Sequence, residues 1–237
     1  MKNKESLWTL IREKLFKTSL MEEVWDLVYT MIQKDKVMFQ NAHHLLRVEY
    51  QDEQFNILLK MDKEVNAMQQ IIREKVLNHL LISDISKYEI PQALGIITVI
   101  NGLERIGDNC KNIADLAMAA NGTVDYSDLE ETVTTLENIV FRHFDELLEA
   151  IKTDNLEISK RIMNEYKEDV SRRIDETVLE ILKGNYSKLP PQNMVSAALY
   201  LRYLKRIDAN QRSAASLLVN PFKKIGYNYN NEGNSSL

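Results

Sequence analysis

The sequence predicts an all-α protein: two pseudo-symmetric antiparallel three-helix bundles preceded by a short N-terminal helix. Three observations predict it. Only 7 glycines and 4 prolines punctuate 237 residues, which leaves few places for turns. Apolar residues recur at three- and four-residue intervals over long windows, while β-branched residues never gather into the alternating runs that mark strands. The same order of three helices, with a proline opening the third, then occurs twice along the chain.

Taken in order, the first helix fits Ser6 to Phe16, where Leu7, Trp8, Ile11 and Leu15 share a face. Lys2, Lys4, Arg12, Lys14 and Lys17 make this N-terminal segment, residues 1–19, basic and amphipathic. Such a helix either packs on its own bundle or docks on an anionic surface or a transporter. A long helix follows from Leu20 to about Arg47, with Val24, Leu27, Val28, Met31 and Met38 as its apolar stripe. The next spans Asp52 to Leu81 through Phe55, Leu58, Leu59, Val65, Ile72 and Val76. Pro91 suits the first turn of a helix, where its missing N–H costs nothing, and the Asn121-Gly122 pair stops that helix. These three helices make a first repeat over residues 20–122.

A second repeat, residues 123–220, contains helices over Ser127 to Ile151 and Asn155 to Leu182. A third, opened by Pro190-Pro191, ends before Asn220-Pro221. Short connections make neighbouring helices antiparallel. Leu103–Leu116, LERIGDNCKNIADL, aligns with Leu204–Leu217, LKRIDANQRSAASL, and each copy lies shortly after a Pro-Gln pair. The tail, 221–237, is poor in aliphatics, and its last eight or so residues read as disordered. Its NPFKKIGY stretch, Asn220 to Tyr227, reads as either a partner-binding or a bundle-sealing segment.

Composition narrows the function. A formal charge of −5 gives no field to attract a phosphate backbone, so nucleic acid is not the expected partner. The lone cysteine, Cys110, sits on an apolar stripe with Ile106 and Ile113 and reads as a packed, reduced thiol. No signal peptide or bilayer-length apolar stretch occurs, so the expected location is the cytoplasm. Glycine-rich phosphate loops, nucleophile elbows and H-E-x-x-H are absent, and the four histidines form no pair with metal-ligand spacing.

The chemistry concentrates in one stripe. Within LERIGDNCKNIADLA, Glu104 and Asp108 stand four apart and project from adjacent turns of one helix face, followed by Asn112. Like charges at that spacing repel, so solvent, basic neighbours such as Arg105 and Lys111, or a bound cation must offset them. Counting back across the loop from Ser83 and Pro91 sets Asp108 level with Asn66 and Asn112 level with Asp62. The candidate oxygen donors are therefore Glu104, Asp108, Asp62, Glu64, Asn66 and Asn112, a set suited to hard or borderline cations.

This stretch resembles the signature of PhoU-type phosphate-signalling regulators, whose repeats carry an acidic E/D-x-x-x-D motif in the third helix of a three-helix bundle. Here the motif is E-R-I-G-D, Glu104 to Asp108, and D-K-E-V-N at Asp62 resembles the second-helix counterpart. The resemblance covers about residues 20 to 220 and implies a non-catalytic cytoplasmic regulator of phosphate uptake. It further implies binding of iron, zinc, manganese or magnesium, and contact with a phosphate transporter or sensor histidine kinase. Similar modules form the cytosolic tail of sodium-phosphate cotransporters; membrane association would here be peripheral, through the partner. A homo-oligomer is compatible with all of this.

The second repeat departs from the pattern: Lys205 stands at the first acidic position and Ala209 at the last. Lys205 cannot hold a cation, and the loop count pairs it instead with Glu168 or Asp169. Two other classes stay open, an adaptor bundle whose charges are merely solvated and a metal-dependent hydrolase.

Overall fold

The structure, a computed structural model, describes residues 7–81, 89–120 and 124–227, with side chains from Leu20 onward. Seven helical segments account for most of it, and no strand occurs among the described residues. Helix α1 spans Leu7–Arg47, α2 Asp52–Leu81 and α3 Glu89–Ala120. Each packs on the other two, closing the first three-helix bundle.

Helix α4 spans Glu130–Thr153 after a 3-10 turn at Ser127–Leu129. Helices α5 (Leu156–Glu165) and α6 (Arg172–Leu182) form one rod joined by a π-helical turn, Tyr166–Ser171, and α7 spans Pro191–Val219. The second bundle is α4, the α5–α6 rod and α7, joined to the first mainly through α3 against α7 and α1 against α4.

The expected break between residues 16 and 20 does not exist: α1 runs through it without interruption. Lys17, Thr18 and Ser19 contain neither glycine nor proline, and polar residues of this kind each cost a helix well under about 1 kcal/mol. The separate N-terminal helix is therefore the first turns of a 41-residue rod. Its basic side chains, and the last residues of the tail, lie outside the described residues.

The reversal between α4 and α5 shows how sequence sets the topology. Asp154 takes a left-handed conformation, φ 52°, and its N–H bonds the Ala150 carbonyl, ending α4. Asn155 then caps α5, its Oδ1 accepting from the N–H groups of Glu157 and Ile158 at 3.1 and 3.3 Å.

One apolar core runs through both bundles. Phe39 of α1 meets Phe141 and Phe144 of α4 at ring separations of 4.5 and 5.9 Å. Nearby, Arg47 pairs with the buried carboxylate of Glu137 at 2.9 Å, to which Tyr200 also donates at 2.8 Å. Between α3 and α7, a Cβ on Gly95 would lie 2.5 Å from Leu217 and 2.8 Å from Ile225, and one on Gly102 would lie 3.0 Å from Asn210. Glycine is what lets these two rods approach. Ile225 belongs to the tail, which turns back through a 3-10 turn at Phe222–Lys224. Asn220 donates to the carbonyls of Lys224 and Tyr227, so this stretch seals the bundle. No helix among the described residues is long and apolar enough to cross a membrane.

Candidate metal centre

Helix α1 carries a charge where its core stripe demands an apolar residue. The buried positions run Val24, Val28, Met31, Asp35, Met38, Ala42, and Asp35 is fully enclosed with both carboxylate oxygens lacking a hydrogen-bond partner. Burial pushes its carboxyl well above the usual carboxylate range, and the charges of Glu104 and Asp62 push it further. An enclosed carboxylate without partners is costly unless it is protonated or meets a cation.

Facing it, Asp62 of α2 is buried at 7 % exposure with its Oδ1 unpartnered, and Asn66 approaches its Oδ2 at 3.5 Å. From α3, Gly107 opens the space beside Asp62: a Cβ there would lie 3.4 Å from Asp62 Oδ1 and 3.3 Å from Met38. Glu104 is raised from its ordinary value by burial, then by Asp108 and Asp62, with Lys111 and Arg105 opposing. Lys111 places its ammonium 2.9 Å from Asp62 and 2.8 Å from Asp108. Burial alone would lower the lysine's pKa, but its hydrogen bonds to Asp108 and Asp62 outweigh this and raise it.

Of the sequence candidates, then, Glu104, Asp108, Asp62 and Asn66 converge, and Asn112 lines the adjoining groove. Glu64 does not join them; two residues from Asp62, it turns to the other side of α2 and pairs with Lys34 at 2.5 Å. The register also differs from the loop count, because α2 ends at Leu81 and α3 begins at Glu89, short of Ser83 and ahead of Pro91. The two offsets add to a register shift of four residues, about one turn, and Asp62 stands against Gly107 to Lys111 instead of Asn112. Asp35 was missed, although its signal was present: a charge at a core position of an otherwise apolar stripe.

Fit to a metal is divided. Two orphaned oxygens on Asp35 and one on Asp62 suit a hard cation. Yet no three His, Cys, Asp or Glu side chains among the described residues are close enough together to hold an ion as they stand, and Lys111 already supplies a positive charge. Cys110 is buried beside this centre, its thiol pushed well up by burial and then by Asp35 and Asp62, which removes it as a nucleophile.

The second bundle buries ionisable groups of its own. The buried positions 28, 31, 38, 39 and 42 of α1 correspond to 133, 136, 143, 144 and 147 of α4, so His143 occupies the place of Met38, one turn from the counterpart of Asp35. Its Nδ1 lies 2.7 Å from the fully buried Asp208 and its Nε2 lies 3.3 Å from Glu165. Sequence spacing leaves His143 isolated, since its partners lie on two other rods. Lys205 forms the anticipated salt bridge, but with Asp175 at 2.5 Å and not with Glu168 or Asp169. Asp175 lies six residues, nearly two turns, beyond Asp169 along the rod, so the register across the loop before α7 differs from the count.

Residues 28–117 match the family model described as the PhoU domain, a span containing Asp35, Asp62, Glu104 and Asp108. No curated protein sequence matches the chain. Among solved structures, PhoU from Pseudomonas aeruginosa is similar at a TM-score of 0.76 and 19% identity, covering 85% of this chain and 96% of that one. The phosphate transport system regulatory protein PhoU from Streptococcus pneumoniae matches at 0.65 and 16%, covering 87% and 95%. At these identities the likeness is one of fold, and the family match is confined to residues 28–117, which carry a PhoU domain.

Proposed function

We propose that this chain is a non-catalytic, cytoplasmic regulator of phosphate uptake that contacts a phosphate transporter or a sensor histidine kinase. The match of residues 28–117 to the PhoU domain carries this reading, and the fold shared with the phosphate transport system regulatory protein of Streptococcus pneumoniae supports it. Glu104, Asp108 and Asp62 would hold an iron, zinc, manganese or magnesium ion at the α2–α3 surface, with Asp35 beneath them. Bound there, the ion would offset carboxylate repulsion. The chain's own contribution is to hold these carboxylates on rigid rods and to bury Asp35 where only a proton or a cation can stabilise it.

Elemental analysis of the purified chain tests the metal. Stoichiometric metal that disappears in an E104A/D108A variant is expected; no metal with the native acids, or metal retained in the variant, would refute the centre. Co-purification from phosphate-replete and phosphate-starved cells tests the role, and recovery of neither a transporter nor a kinase in both conditions would overturn it.

A second reading, an adaptor bundle without metal, is favoured by Lys111, whose ammonium already bridges Asp62 and Asp108. Lys111→Ala separates the two. If a metal competes with the lysine, the variant binds metal more tightly than the native chain; if the lysine is the resident cation, the variant is destabilised and takes up no metal.

A further inference from the structure

Helix α1 outreaches the bundle it helps to build. Lys34 of α1 pairs with Glu64 of α2, and Glu23 with Lys75, eleven residues on along each rod, so Leu81 at the end of α2 lies level with Lys17. On the other side Met38 packs on Gly107 of α3, which runs parallel to α1, so Glu89 at the start of α3 lies level with Leu20. No other described helix reaches as far. Helix α4 ends at Thr153, nine residues past the Phe144 that meets Phe39, and α7 ends at Val219, two past the Leu217 that meets Gly95. Positions 7–16 of α1 therefore project past the described helix ends, by about 15 Å at 1.5 Å per residue.

Because α1 is unbroken, its helical phase is fixed through that projection. The core stripe recurs at steps of four and three, Val24, Val28, Met31, Asp35, Met38, Ala42. Continued backwards it falls on Met21 and then on Lys17 and Lys14, so the stripe that packs the bundle ends at Met21. Trp8 and Leu15 are in phase with the exposed Glu22, off that stripe. With Leu7 and Ile11 they make an apolar face that does not continue the core, which removes packing on its own bundle as the explanation. Charge separates the segment too: residues 1–19 hold five basic and two acidic side chains, a net of +3 in a chain whose total is −5. The carboxylates of the bundle end, Glu22, Glu23, Glu74 and Glu89, lie at levels 20 to 24 of α1, behind these basic positions. At the rim Leu77, Leu81 and Ile90 are exposed, Leu81 at 73 %.

We propose that this overhang is a membrane-docking helix, whose face of Leu7, Trp8, Ile11 and Leu15 enters an anionic lipid surface while Arg12, Lys14 and Lys17 meet the headgroup charge. A helix with aliphatic residues and tryptophan on one face and basic residues around it is the pattern that lies in the bilayer interface. Each basic residue near an anionic leaflet adds to its hold. Charge argues against a second copy as the occupant, because two such overhangs paired face to face carry like charge and repel. Ten helical residues give a weak contact that salt screens, made by the chain directly and not through a protein partner.

Flotation of the full chain with vesicles tests this. Vesicles of phosphatidylcholine mixed with phosphatidylglycerol should carry the chain upward, pure phosphatidylcholine vesicles should not, and high salt should release it. K14E/K17E should weaken binding by about thirtyfold or more, the effect of losing two basic residues near an anionic surface. W8A/I11A should weaken it as well. In W25F, Trp8 is the only tryptophan, and its emission should shift to the blue when anionic vesicles are added. Without lipid, the urea midpoints of K14E/K17E and W8A/I11A should equal the native value, because these positions lie beyond the bundle. No flotation with anionic vesicles, equal flotation with neutral ones, or undiminished flotation of K14E/K17E would overturn the proposal. A lowered midpoint in W8A/I11A would overturn it by returning the face to the chain's own bundle. A lipid-free dimer that W8A/I11A disrupts would overturn it by assigning the face to a second copy. The metal centre and the transporter or kinase reading are tested on other residues and by co-purification, so neither stands or falls with this helix.

Discussion

Single side chains at core positions carry the strongest physical signals in this molecule. Asp35 holds its proton more tightly folded than unfolded, since burial raises its pKa. The folded state therefore binds the extra proton, and stability falls as pH climbs from about 4, the unfolded value, through the raised one. Asp35→Asn should flatten that dependence and raise the melting temperature of chelated protein by about 2–4 °C for each kcal/mol recovered. A scan of Tm against pH checks it, and an unchanged slope would show that Asp35 is not the titrating group. His143 behaves in the opposite sense. Burial lowers its pKa, but Asp208 and Glu165 outweigh burial and the net shift is upward. Its contribution is complete below about 6.5 and is lost as pH rises through the raised value. Glu165, opposed by burial but held down by Arg142 and His143, contributes above about 4.3 and is lost on acidification. Urea midpoints should accordingly fall less steeply above about pH 6.5 in H143Q than in the native chain, with Asp35 supplying the slope that remains. Asp208→Ala, which strands the imidazolium, should cost about 3–5 kcal/mol.

Helices were legible in the sequence to within two or three residues where a cap or a proline marked them. Asn155, the Pro190-Pro191 pair and the α2 span Asp52–Leu81 all fall where periodicity and capping put them. Legibility failed where the deciding contact was not local. Lys17 to Ser19 look like a pause but break nothing, and the π turn at Tyr166–Ser171 leaves no mark in composition. The candidate site divides in the same way. Glu104 and Asp108 announce themselves by spacing on one helix, whereas the inclusion of Asp35 and the turning away of Glu64 depend on which neighbours the rods bring. The tail reads equally well as a docking or a sealing segment until Ile225 is seen against Gly95. Gly95→Val tests that contact. Added bulk must displace Leu217 and Ile225, which should cost about 1–3 kcal/mol and release residues 221–227 to proteolysis. Tail cleavage no faster than in the native chain would mean that the contact does not hold it.

At the scale of the whole molecule, the internal repeat suggests two independent bundles, but the packing argues against independence. Phe39 projects from the first bundle into Phe141 and Phe144 of the second, and Arg47 of α1 meets Glu137 of α4 and, through it, Tyr200 of α7. Because Phe39, Phe144, Glu137 and Tyr200 are buried, neither bundle can open alone without exposing apolar surface and breaking the Arg47–Glu137 pair. Unfolding in urea should thus be one cooperative transition, with fluorescence and circular dichroism superimposing. Phe39→Ala, a large-to-small change in the shared core, should lower stability by about 3–5 kcal/mol. If it also uncouples the bundles, two transitions should appear in that variant, because the remaining α3–α7 seam is narrowed by glycines and polar at Asn210. A native chain that already unfolds in two steps would show that the seam is weaker than the buried aromatic and ionic contacts imply. Coupling of this kind is what would let a cation at Asp62 and Asp108 be felt at α7, which packs along α3. Metal added to the native chain should then raise the single midpoint as a whole, whereas a shift confined to one of two transitions would restrict the effect to the first bundle.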